Sequence, residues 1–129
     1  MRILTSYTWL IVWGVIMLIL MGAPPQSLPS PPVFAGFDKL AHCGFFFVFT
    51  VLYFRGTIVH SKRRATKIKT MFYALLLSSM MAFGTEAIQF YLKMGRMADW
   101  WDIFADYVGI GMAMLAYLLL YQRRTTSYK

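Results

Sequence analysis

Apolar residues fill this chain in long runs, with neither the strict alternation of a strand nor the single stripe of a soluble helix. No charged residue occurs from Ile3 to Phe37 or from Thr70 to Thr85. A helix needs ~20 apolar residues to cross a hydrocarbon core of ~30 Å. The pattern predicts four such helices, at about 4–21, 39–59, 70–92 and 100–121. The expected fold class is all-α: an integral membrane bundle of four transmembrane helices, forming a single membrane domain over 1–129. Composition agrees, with 59% hydrophobic residues and a mean hydropathy of +0.56. Neither end leaves room for a soluble domain.

The segment between the first two helices, PPQSLPSPPVFAGF, holds all five prolines and reads as an extended loop. Met1 to Ala23 has a positive start, an apolar stretch and a small-residue end, which resembles a signal peptide. Its apolar stretch exceeds the 7–15 residues of a signal core, and Pro24 and Pro25 would follow any cut. It is read as an uncleaved helix.

Charge adds an orientation. Lys62, Arg63, Arg64, Lys67 and Lys69 crowd the loop between helices two and three, and Arg2, Arg123, Arg124 and Lys129 lie at the ends. The other side has Lys39, Lys93 and Arg96. By the positive-inside rule, both termini are expected in the cytoplasm and the chain in the plasma membrane. The net charge of +8 then needs no nucleic-acid partner; topology and attraction to membrane lipids account for it.

All five acidic residues fall on the opposite, outer side: Asp38, Glu86, Asp99, Asp102 and Asp106. Asp38 and His42 are spaced i, i+4 and share a face at the start of helix two. Glu86 and Gln89 lie in the last turns of helix three, and Asp99, Asp102 and Asp106 form one stripe into helix four. At 1.5 Å per residue, Glu86 and Asp106 each sit about 9 Å in from their helix ends. Ionised side chains cost ~2.5–3.5 kcal/mol at the bilayer centre and less toward the interface. Glu86 and Asp106 are therefore expected to face the bundle interior, where Lys39, His42 and Arg96 can pair with them. The candidate functional cluster is Asp38, Lys39, His42, Glu86, Gln89, Arg96, Asp99, Asp102 and Asp106. Its bland counterpart is interhelical glue, worth ~1 kcal/mol per contact.

The remaining features read as packing. Ala105, Gly109 and Ala113 recur every four residues and predict a tight helix seam. Cys43 is the only cysteine, so no internal disulfide is possible, and it reads as a small buried thiol. Phe45 to Phe47 and the ten methionines read as core or lipid-facing. The chain has no internal repeat, no phosphate-cradling glycine loop and no nucleophile elbow.

Phe37-Asp38-Lys39-Leu40 with His42, Glu86-Ala87-Ile88-Gln89, Gly95-Arg96 with Asp99, then Asp102 and Gly109 together resemble the VanZ-like integral membrane proteins over about 37–113. The family pattern tends to have Asn where this chain has Asp106, which adds a negative charge here. The resemblance implies a small multi-helix membrane protein of the cell envelope, and a link to antibiotic resistance of the teicoplanin type.

Three functions fit these residues. The first is an accessory protein binding a lipid or lipid-bearing antibiotic at the outer face, with no catalysis and no cofactor. The second is an intramembrane enzyme acting on a phosphorylated lipid, with Mg²⁺ held by Asp102, Asp106, Glu86 and His42. The third is an oligomeric proton-coupled exporter with Glu86 as carrier, although transporter sites lie nearer the midplane.

Overall fold

The computed structural model describes residues 1–22, 36–92 and 100–121. Helix α1 spans Arg2–Gly22, α2 Phe37–His60, α3 Lys67–Leu92 and α4 Trp100–Leu120. All four are long and apolar enough to cross a membrane. The expected all-α, four-helix membrane bundle is what forms. The proline-rich loop, the turn at 93–99 and the C-terminal basic tail lie outside the described residues.

Helices α1 to α3 begin two or three residues before the predicted spans. Hydropathy registers the part of a helix inside hydrocarbon, whereas polar first turns such as Lys67–Lys69 continue the helix into the interface. At the other end, α4 stops one residue short of Tyr121, whose N–H still bonds Tyr117 O at 2.9 Å. A one-residue difference of this kind is within ordinary end fraying.

Helix α2 ends in a Schellman turn. Arg63 N–H bonds Ile58 O at 2.9 Å and Lys62 N–H bonds Val59 O at 3.3 Å. This satisfies carbonyls the helix end would otherwise orphan. The turn holds Lys62 at φ 50° and Arg63 at φ 65°, a left-handed conformation that glycine usually supplies.

Helix α2 is the centre of the bundle. It touches the other three helices, most extensively α4, while α1 packs on α2 and α3 and, among the described residues, not on α4. The predicted small-residue seam is the α2–α4 interface, where Ala105, Gly109 and Ala113 are all buried. A Cβ on Gly109 would lie 2.1 Å from the carbonyl oxygen of Cys43, so the two backbones nearly touch and only glycine fits. Cys43 is half-buried, not fully buried as expected. Its backbone abuts Gly109.

Lipid tails are as apolar as leucine, so helix association in a bilayer relies on close packing and interhelical hydrogen bonds. Both are present. Tyr7 Oη meets Thr57 Oγ1 at 2.9 Å, Trp13 Nε1 donates to Phe45 O at 3.1 Å, and Thr50 and Ser78 hydroxyls meet at 3.0 Å. Tyr107 Oη donates to Ser79 Oγ at 2.8 Å. Within the core, Leu10, Met17, Phe46, Phe49 and Ile110 pack together. Of the Phe45–Phe47 run only Phe46 is fully buried. Large apolar side chains such as Trp9, Phe72, Met80 and Leu119 cover the outside, as a bilayer solvent permits.

Candidate functional site

The site starts from how α2 and α4 begin. Gly36, at φ 90°, precedes α2 and lets the chain turn sharply into Phe37. Asp38 in the first turn of α2 and Asp102 in the first turn of α4 sit where helix dipoles favour negative charge.

From there the two helices run parallel at nearly constant register, because the Cys43–Gly109 contact fixes both spacing and phase. Lys39 faces Asp102, His42 faces Asp106, and Phe54 faces Tyr117 further along. The positive N-terminal poles of two helices thus converge on the same carboxylates.

The polar contacts form a chain that runs inward. Exposed Asp38 pairs with Lys39 at 3.7 Å, and Lys39 Nζ hydrogen-bonds Asp102 Oδ1. His42 lies between two carboxylates, with Nε2 at 3.8 Å from Asp102 Oδ2 and Nδ1 at 2.8 Å from Asp106 Oδ1. Asp106 is 0% exposed and His42 2%. Glu86, also buried, brings a carboxylate oxygen within 4.8 Å of donor atoms of both His42 and Asp106. The buried Asp106 carboxyl is thus met by an imidazole.

Of the nine predicted residues, Asp38, Lys39, His42, Glu86, Asp102 and Asp106 come together. Gln89 is buried but used elsewhere: its Nε2 donates to Met21 O at 3.0 Å and ties the end of α1 to α3. Arg96 and Asp99 lie outside the described residues.

Two donor sets have metal-ligand spacing. Asp38, His42 and Asp102 form one, and His42, Glu86 and Asp106 the other, each within 4.8 Å. Both contain an imidazole nitrogen, which suits a transition ion such as Zn²⁺ or Mn²⁺ better than the all-oxygen preference of Mg²⁺.

A groove that sequence reasoning missed adjoins the cluster. It has a volume of about 370 Å³, and Phe83, Phe90, Tyr91, Trp100 and Ile103 line it together with Glu86. Phe90, Tyr91 and Trp100 lie at the ends of α3 and α4, the part of a spanning helix where aromatic belts are common, and Phe83 lies deeper. Trp100-Trp101 and Phe90-Tyr91 flanking one turn were the available signal, but they are hidden in a chain that is 18% aromatic.

A model of the VanZ/LLP1 family matches residues 3–121 of the 129. The match extends past both ends of the 37–113 resemblance and takes in all four helices. No curated protein and no solved structure matches the chain.

Proposed function

The chain belongs to the VanZ/LLP1 family, and on that premise we propose that it is an accessory protein of the plasma membrane that binds a lipid or lipid-bearing antibiotic at the outer face. Both termini are cytoplasmic in this reading, and the acidic end of the bundle faces out. The carrying observation is that the aromatic groove between α3 and α4 has the buried Glu86 in its wall. An acyl-bearing amphiphile lays its apolar part against Phe83, Phe90 and Trp100 and turns its polar part toward Glu86. Small-molecule sites commonly combine an apolar wall with a few placed polar groups in this way.

Expression in a sensitive Gram-positive host should raise tolerance to teicoplanin, which carries an acyl chain, more than to vancomycin, which does not. Glu86→Gln should abolish the effect while leaving the protein folded and inserted. Equal protection against both drugs, or full protection by a folded Glu86→Gln variant, defeats the proposal. Reporter fusions after Ser30 should read outside and fusions after Ala65 inside; the reverse would place the groove in the cytoplasmic leaflet.

The donor geometry of His42, Glu86 and Asp106 favours one second reading, a metal-dependent enzyme on a phosphorylated lipid. Lipid turnover that chelator stops and added Zn²⁺ or Mn²⁺ restores would select it over simple binding.

A further inference from the structure

One atom of the polar cluster is not accounted for by the cluster's own hydrogen bonds. Asp106 is fully buried, and its Oδ1 meets His42 Nδ1 at 2.8 Å. Its second oxygen, Oδ2, is buried as well and has no hydrogen-bond partner among the described residues. A buried acceptor without a donor carries its full desolvation cost, and a bound ion is one of the few things that offsets it.

Asp106 is also one of three buried side chains of ligand type. His42 from α2, Glu86 from α3 and Asp106 from α4 bring donor atoms within 4.8 Å of one another. A four-coordinate Zn²⁺ with bonds of ~2.0–2.2 Å sets its donors about 3.4 Å apart, a closing-in that side-chain torsions can supply. A carboxylate offers two oxygens, so Glu86 can ligate with one whatever the other accepts. One imidazole nitrogen with two carboxylates is a set that Zn²⁺ takes with its fourth position open, whereas Mg²⁺ and Ca²⁺ prefer oxygens alone.

A way in exists. Asp38, His42 and Asp102 form a second donor set on the same imidazole, and Asp38 is exposed. The Lys39 ammonium bonds Asp102 and lies 3.7 Å from Asp38. It repels a cation from this outer set, so an ion that arrives there is better held by the inner one.

We infer that His42, Glu86 and Asp106 hold one Zn²⁺ that clamps α2, α3 and α4 together. The ion displaces the proton between the imidazole and Asp106, which leaves to solvent, and it supplies a partner for Asp106 Oδ2. Thr50–Ser78 and Tyr107–Ser79 tie α3 to α2 and α4 near its middle. The ion ties it to both again, about 10 Å further along. The inference rests on the donor trio of the second reading above and on none of its chemistry: a clamp binds zinc whether or not a lipid is turned over.

The test titrates the metal-free, tag-free full chain in micelles with Zn²⁺ against a chelating dye. One Zn²⁺ per chain should bind with a Kd tighter than about 1 μM. Asp106→Asn should weaken binding about a hundredfold or more, since even outer-shell partners of a zinc ligand are worth ~10–100-fold. Glu86→Gln examines the third helix in the same way and decides if Asp106→Asn fails to fold. Asp38→Asn should leave the affinity within about fivefold, the effect of one exposed charge. His60→Gln removes the chain's other histidine, in the last turn of α2, and should change nothing. No bound Zn²⁺ in the unaltered chain overturns the proposal. So does a loss from Asp38→Asn or His60→Gln as large as that from Asp106→Asn, which would mean an adventitious ion only. A chain that binds one Zn²⁺ as expected and turns over no lipid bears out the clamp and removes only the enzyme reading.

Discussion

At the acidic end of the bundle, ionisable groups are taken inside. Asp102, His42 and Asp106 are buried and partnered across the α2–α4 interface. At the basic end they are kept outside, with Arg63 and Lys67 lying against the Tyr121 ring. The same two helices build both ends. The difference is that carboxylates and imidazole at one end meet across the α2–α4 interface, whereas Arg63 and Lys67 at the other end lie over the ring of Tyr121. One end is organised by charge pairing between helices, the other by cations laid against an aromatic face.

The most severe way to break this comparison is to part the helices that join the ends. Gly109→Val puts a side chain into the Cys43 carbonyl and should cost at least ~3 kcal/mol, the upper range for overpacking, seen as loss of a cooperative melt in micelles. Gly111→Ala, two residues on with nothing within 4 Å, should instead gain up to ~1 kcal/mol from helix propensity. Equal effects would mean that the seam does not set the register.

Next comes the buried pair. His42→Ala strands a carboxylate and should cost ~3–5 kcal/mol, while Asp106→Asn, which keeps a hydrogen-bond acceptor for the imidazole, should cost ~1 kcal/mol. Adding Asp106→Ala to His42→Ala should recover part of the loss; simple additivity in that cycle would show the two residues to be independent.

The acidic cluster was legible because charge inside a long apolar run is costly wherever it occurs, so Glu86 and Asp106 stood out without any structure. The seam at Ala105, Gly109 and Ala113 was legible from its period. Which residue of one helix meets which residue of another was not. Periodicity gives a face, while pairing Lys39 with Asp102 and His42 with Asp106 depends on the relative phase of two helices, set by a backbone contact at Gly109. The buried stripe of α3, Thr70, Ala74, Ser78 and Ala82, went unread for a related reason: its small residues lie in a helix apolar all round. Gln89 was misplaced because its spacing from Glu86 shows a shared face and cannot say that its amide turns toward α1.

The smallest expected effect sharpens the basic end. Lys62→Gly relieves a left-handed residue in the turn after α2 and should raise stability by up to ~1 kcal/mol in thermal melts. No gain would mean that the turn is held by contacts of the lysine itself.

The pairing of α2 with α4 also has a consequence in time. Lys39 and His42 are synthesised about sixty residues before Asp102 and Asp106, roughly 3–12 s at 5–20 residues per second. For those seconds α2 must sit in the insertion machinery or at the bilayer edge with its cation and its imidazole facing no carboxylate from α4. Only when α4 arrives can α2 be fully seated, so the emergence of α4, and not that of each earlier segment in turn, is when these helices become a bundle.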